Sequence, residues 1–301
     1  MSTAQTAQTQ YIVANGVKLA YRHLGDASSG KIPLVMVVHF RANMDFWDPL
    51  LINALIQTRP VILLDIAGTG KSEGEVPTTM AEWGGHVMSL VKALGLTQID
   101  LLGFSMGGLA VQYAALNAPG VVRRLIICGS RTSRTPNTID GPLDIFMPLA
   151  KSESDEDFKK SWVDSFFPHT PHGEAAGEAS WNRIMTRTLD RSPHLSSELA
   201  KRQIQAFGGA APDAEKPEVL QAYDRLNELN MPVFVANGDD DLLIPTQNSV
   251  ELAQLLRNAH LHIYPNAGHG FLYQYAEMFA KHVELFLDGT DGGEEGLAAK
   301  L

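Results

Sequence analysis

The stretch Ile99-Asp100-Leu101-Leu102-Gly103-Phe104-Ser105-Met106-Gly107-Gly108-Leu109-Ala110 decides the fold. The apolar run Ile99 to Leu102, broken by Asp100, predicts a strand, and Met106 to Leu116 predicts a helix. Between them lies Gly-x-Ser-x-Gly, and strand, tight turn and helix is the context in which that pattern carries chemistry. A turn this sharp strains the backbone of Ser105 and raises its hydroxyl at the C-terminal edge of a sheet. Gly103 and Gly107, two residues to either side, remove Cβ atoms that would strike neighbouring backbone. The N–H of Met106 then faces a developing oxyanion at the start of a helix whose dipole favours negative charge.

Apolar runs recur on both sides of this turn: Leu34 to Val38, Val61 to Leu64, Leu125 to Cys128, Val233 to Ala236, and Leu261 to Tyr264 with His262 inside it. Runs without polar alternation suit strands buried on both faces of a parallel sheet. Helical stretches alternate with them: Met80 to Leu94, Gln247 to Leu256 and Phe271 to Phe286. Near the start, Tyr11 to Tyr21 places Asn15-Gly16 between two short apolar runs, a hairpin signal. The pattern predicts an α/β fold with a mostly parallel central sheet flanked by helices. It breaks between about Ser130 and Leu229, where the helix-like pieces are Leu143 to Leu149, Asp155 to Phe167, Glu178 to Leu189 and Ser196 to Phe207. The expected organisation is a core over residues 1–129 and 230–290, a helical cap over 130–229 and a flexible tail over 291–301.

Composition limits the partners. The chain has 301 residues, 45% hydrophobic and 19% charged, enough for a sizeable core. Its net charge of −10 disfavours nucleic acid and acidic membranes. The single cysteine, Cys128, excludes an intramolecular disulfide. Met1 to Gln10 has no basic or apolar region of the secretory kind, and no run is long and apolar enough for a membrane span. The final Ala299-Lys300-Leu301 is similar to a peroxisomal address. The location expected is therefore the cytoplasm, or the peroxisome in a eukaryote.

A serine hydroxyl needs a base, and in strand–turn–helix architectures the chain order is serine, acid, histidine. Of the ten histidines, His269 in Asn266-Ala267-Gly268-His269-Gly270 follows the last strand run and precedes the last helix. His23, His39 and His86 precede the serine. His260 and His262 belong to the last strand, His282 reads as an exposed helical residue, and His169, His172 and His194 fall in the cap. The acid belongs after the preceding strand, where Asn237-Gly238-Asp239-Asp240-Asp241-Leu242-Leu243-Ile244-Pro245 stands. Asp241 is selected by its place after Gly238 and before Pro245. Asp239 and Asp240 read as turn-forming or solvated.

Over residues 11–288 the chain resembles the α/β-hydrolase superfamily, on Gly103 to Gly107, on Gly238-x-x-Asp241-x-x-Ile244-Pro245, on Gly268-His269 and on Asp65-x-x-Gly68-x-Gly70-x-Ser72. The resemblance implies a Ser105–His269–Asp241 triad and an oxyanion hole of two backbone N–H groups, Met106 and Phe40. Phe40 departs from the family pattern, in which many relatives carry glycine after the histidine; the donor is main chain and survives the change. Arg41 reads as a hydrogen-bond donor to nearby loops, as a contact to a substrate carbonyl, or as a buried ion pair with an acid such as Asp45.

Gly68-Thr69-Gly70-Lys71-Ser72 ends like a phosphate loop, but Asp65 stands where that motif needs glycine. No Cys/His spacing suggests zinc, and no dinucleotide fingerprint occurs, so neither metal nor cofactor is expected. The activity expected is a serine hydrolase acting on a small ester or lactone. Phe146, Trp162, Phe166, Phe167 and Trp181 are candidate pocket residues, with plain packing as their other reading. A carbon–carbon bond hydrolase, or a cofactor-free haloperoxidase or perhydrolase, could use the same three side chains. A ligand receptor without turnover, or a cyclisation or isomerisation catalyst, could reuse the pocket.

Overall fold

Tyr11 to Tyr21 folds as its Asn-Gly signal predicts. β1 (Gln10–Ala14) and β2 (Val17–Leu24) pair antiparallel. Asn15 and Gly16 between them have φ of +49° and +79°, the double left-handed turn that matches strand twist. The structure, a computed structural model, describes residues 2–208 and 221–289. The expected tail over 291–301, with its terminal tripeptide, and residues 209–220 of the expected cap lie outside the described residues.

The other strands are β3 (Leu34–Val37), β4 (Val61–Leu64), β5 (Ile99–Phe104), β6 (Val122–Cys128), β7 (Val233–Gly238) and β8 (Ala259–Tyr264). They form an eight-stranded sheet in the order β1-β2-β4-β3-β5-β6-β7-β8. β1 with β2 and β2 with β4 are antiparallel, and every later pairing is parallel. Alternate residues of one strand serve two cores. Leu34 and Met36 pack with α1 (Pro49–Leu55) and α11 (Ala276–Asp288). Val35 and Val37 pack with α2 (Met80–Ala93), α3 (Met106–Asn117) and α9 (Thr246–Leu255). Burial on both faces explains the unbroken apolar runs. Asp100, which interrupts β5, is buried and answered by Arg123 at 2.6 Å and Arg59 at 3.8 Å.

Between β6 and β7 the chain leaves the sheet for α4 (Leu143–Lys151), α5 (Asp155–Phe166), α6 (Pro171–Ile184), α7 (Ser197–Gly208) and α8 (Ala222–Arg225). Phe158, Trp162, Phe166, Phe167 and Trp181 of this insert belong to the same core as α1 and α11. Full burial of such side chains is worth about 1.5–3 kcal/mol each. The loop after β3 is the socket for the insert. Asn43 donates to Pro193 O at 2.6 Å. Asp45 takes Arg22 at 2.7 Å, Arg187 at 2.8 Å and the Ser192 N–H at 2.7 Å. Asp48 caps α1 through the Leu50 N–H and accepts from Ser180 and Arg183 of α6. Arg187 also donates to the carbonyls of Ala4, Gln5 and Ala7, so the amino-terminal arm is strapped to the insert.

Several elements differ from their sequence reading. The helix expected over Glu178 to Leu189 begins earlier, because Thr170 caps it through the Gly173 N–H and Pro171 occupies its first turn. The last helical stretch divides into α10 (Phe271–Gln274) and α11 at Tyr275, whose φ and ψ are −110° and 36°. α1, signalled by Asp48-Pro49, is absent from the sequence reading. His282 is half-buried rather than exposed, with Nδ1 2.6 Å from the Tyr264 hydroxyl.

Candidate active site

Three loops meet at the C-terminal edge of the sheet. The first is the turn from β5 into α3. Ser105 has φ +59° and ψ −121°, a conformation that L-residues adopt only under constraint. Its N–H donates to Cys128 O at 2.8 Å, and its carbonyl accepts from Ser130 Oγ at 2.7 Å, so the end of β6 holds the turn. A Cβ on Gly103 would lie 2.3 Å from Gly107 O, and one on Gly107 would lie 2.4 Å from Val37 O. Both glycines are therefore required by close backbone approach, and the second seats the end of β3 against the turn.

The second loop follows β7. Asp241 is buried; its Oδ1 accepts the N–H groups of Leu243 at 2.8 Å and Ile244 at 2.9 Å. Its Oδ2 lies 2.7 Å from Nδ1 of His269, on the third loop after β8. A carboxylate only accepts, so Nδ1 carries a proton, and the neutral ring in this tautomer has its lone pair on Nε2. That Nε2 is buried and has no hydrogen-bond partner. The ring is held between Phe104, with centroids 5.0 Å apart, and the edge of Phe166 at 4.9 Å. Phe104 immediately precedes Ser105, so the imidazole stands beside the serine turn, although no hydrogen bond joins Ser105 to Nε2. Asp239, exposed as expected, braces the histidine loop through the N–H groups of Asn266 at 3.0 Å and Ala267 at 3.1 Å. The Gly270 N–H donates to Phe166 O at 2.6 Å, tying that loop to the end of α5.

Two backbone donors stand open here. The Met106 N–H begins α3, and the Phe40 N–H follows β3; among the described residues neither has a partner. Ser105 itself is 6% exposed.

His39, set aside on chain order, lies in this neighbourhood. Its ring is 5.3 Å from Phe104 and 4.8 Å from Phe166. Nδ1 donates to Phe40 O at 3.0 Å, and Nε2 is buried without a partner. Burial pushes its pKa down to about 3, with His269 adding to the shift, so the imidazole is neutral. Its place directly before Phe40 is the signal that would have found it.

The aromatic candidates separate by position. Phe146 packs on Phe40 at 5.3 Å, and Phe166 touches His269 and His39. Trp162 stands one ring back, stacked on Phe166 at 4.9 Å. Trp181 packs on Trp162 and Phe158 of the insert and on Phe46 of the loop after β3, away from His269.

Of the three readings of Arg41, hydrogen bonding to neighbouring loops is the one the structure fits. Asp45 takes Arg22 and Arg187 instead. The Arg41 guanidinium, 0% exposed, is spent on the carbonyls of Leu195, Leu149 and Ser152, on Ser152 Oγ and on His194 Nδ1. Each of its three nitrogens donates to a carbonyl of the insert. His169 and His172 are exposed, and His194 stacks on Phe158 at 4.0 Å.

The loop that imitates a phosphate site is filled from within. Asp65 accepts the Lys71 N–H at 2.8 Å, and a Cβ on Gly70 would lie 2.1 Å from its carboxylate. Among the described residues no group of three or more His, Cys, Asp or Glu could hold a metal ion, and no helix is long and apolar enough to cross a membrane.

Comparison with known proteins agrees with this architecture. A family model described as alpha/beta hydrolase fold matches residues 33–274. A 2-hydroxymuconate semialdehyde hydrolase of Pseudomonas putida is 29% identical over 249 residues, 78% of this chain and 79% of its own. A relative named for carbamate hydrolysis, RutD of Caulobacter vibrioides, is 26% identical over 278 residues, 90% of this chain and 96% of its own. Among solved structures, a protein of Chitinophaga pinensis described by the same fold superposes with a TM-score of 0.83 at 34% identity, covering 96% of this chain and 100% of its own.

Proposed function

The chain belongs to the alpha/beta hydrolase fold family, and from that premise we propose that it is a serine hydrolase cleaving an ester or lactone of a small, largely apolar metabolite. The observation that carries this reading is the buried, unpartnered Nε2 of His269, whose other nitrogen is fixed by Asp241 beside the strained Ser105. Nε2 takes the Ser105 proton as Oγ bonds to the substrate carbonyl carbon. The Phe40 and Met106 N–H groups receive the oxyanion. As the carbon–oxygen bond of the alcohol breaks, His269 returns the proton to the leaving oxygen. A water then gives its proton to Nε2 while its oxygen attacks the acyl-enzyme, and Ser105 leaves with that proton. The inserted helices act as a cap, and Phe40, Phe146 and Phe166 supply an apolar wall suited to uncharged acyl groups.

The test is hydrolysis of chromogenic short-chain esters by wild type and Ser105→Ala, with mass spectrometry after exposure to a fluorophosphonate. A rate loss of at least about a thousandfold in the variant and an adduct on Ser105 are expected. Undiminished turnover in Ser105→Ala, or no adduct on the wild type, overturns the reading.

The likeness to the Pseudomonas putida enzyme favours a second reading, hydrolysis of a carbon–carbon bond by the same three side chains. The wild type offered 2-hydroxymuconate semialdehyde decides between them: a kcat/KM above that for every ester selects the second.

A further inference from the structure

Arg41 sits where glycine would be expected. His39 O accepts the Ala42 N–H at 3.3 Å, closing a turn whose third residue, Arg41, has φ +59°. A side chain at that position strains the backbone. What holds the turn is the insert. The Arg41 N–H donates to Gln203 Oε1 of α7 at 2.8 Å, and the Arg41 carbonyl accepts the Leu195 N–H at 2.9 Å. The guanidinium reaches Leu149 O at 2.8 Å and Ser152 O at 2.9 Å at the end of α4, and Leu195 O at 2.6 Å. It also lies over the Phe158 ring of α5, 5.0 Å from the centroid. Both backbone groups of residue 41 and its whole side chain are thus satisfied by residues that follow β6 and precede β7.

The peptide joining residues 39 and 40 carries the Phe40 N–H, and its carbonyl is the one that closes this turn. The next peptide is fixed at one end by His39 Nδ1 on Phe40 O and at the other by Gln203. The direction of the Phe40 N–H is therefore inseparable from the grip on Arg41.

We propose that Arg41 is a positioning residue that makes the direction of the Phe40 N–H conditional on the seating of the inserted helices. This rests on the reading of that N–H as an oxyanion donor. With α4, α7 and the segment at residues 193–195 docked, the left-handed turn is held and the donor is aimed. With them lifted, the guanidinium loses its acceptors, the turn relaxes, and the acyl-transfer step slows. Full transition-state stabilisation is then available only over a covered substrate.

Three variants test this: Arg41→Met, Arg41→Gly and Gln203→Leu, each with kcat and KM on a chromogenic ester, the affinity for a trifluoromethyl ketone and the melting temperature. Arg41→Met is expected to lower kcat and the ketone affinity by about tenfold or more while KM stays within about twofold, because an oxyanion donor acts in the transition state. Gln203→Leu, which leaves the guanidinium in place, shifts both in the same direction by less. Arg41→Gly loses the same contacts yet permits the left-handed turn, so it recovers kcat several-fold over Arg41→Met. A merely structural role gives methionine and glycine the same kcat, and that result overturns the proposal. A rise in KM alone, or an unchanged kcat in Gln203→Leu, does so too. If Arg41→Met fails to fold, Arg41→Gly and Gln203→Leu decide, the first then expected within several-fold of the wild-type kcat. Failure of the hydrolase reading itself shows separately, as a wild type that takes no label on Ser105.

Discussion

His39 is a neutral imidazole walled in by Phe104, Phe166 and Tyr273. Its ordinary pKa of 6.5 in the unfolded chain falls to about 3 on folding, because burial penalises the charged form. Between those values the unfolded chain binds the extra proton and the folded chain does not. His39 therefore contributes stability that is fully present above pH 6.5 and is lost as pH falls toward 3, at up to about 1.4 kcal/mol per pH unit. Asn at position 39 keeps a donor for Phe40 O and carries no titrating nitrogen. Urea melts at pH 7 and pH 4.5 should show wild type losing more stability between the two than His39→Asn. At this scale the motifs made Ser105, Asp241 and His269 readable as candidates, since each sits in a short local pattern at the end of a strand. The partners of Arg41 were not readable, because Leu149, Ser152, Leu195 and Gln203 are distant in the chain and three of the four offer only a carbonyl or an amide.

Two glycines separate what an element needs from what it tolerates. A methyl group on Gly107, at the start of α3, would lie 2.4 Å from Val37 O and 2.8 Å from Val38 O, both backbone atoms at the end of a buried strand. One on Gly85, mid-way along α2, meets nothing within 4 Å. Gly107→Ala should cost at least about 2 kcal/mol, while Gly85→Ala should gain up to about 1 kcal/mol from helix propensity. Thermal denaturation of the two variants checks both signs. The strands were legible because burial on both faces writes an apolar run into the sequence. The insert was legible as helical, but the start of α6 was not placed, because the cap and first-turn proline at Thr170-Pro171 lie ahead of its periodic residues. The break at Tyr275 is a backbone rotation that leaves the apolar pattern of Phe271 to Phe286 intact.

Across the molecule, the insert is moored to the sheet by the polar side chains of one loop, Arg41, Asn43, Asp45 and Asp48, and by Arg187 reaching the opposite way to the arm. Composition shows the arm only as polar and uncharged; the atoms that matter in it are main-chain oxygens, which no residue alphabet displays. A chain beginning at Gln10 lacks all three carbonyls that Arg187 now holds, and leaves the guanidinium with only its ion pair to Asp45. Losing partners around a buried charge is strongly destabilising. Limited proteolysis should cut this shortened chain faster between residues 171 and 208 than the full chain, and a rate equal to that of the full chain would show the strap to be idle. The beginning of the polypeptide thus behaves as a guy-rope: fusing a bulky partner there, or clipping it, pulls on a part of the protein that lies far along the same chain.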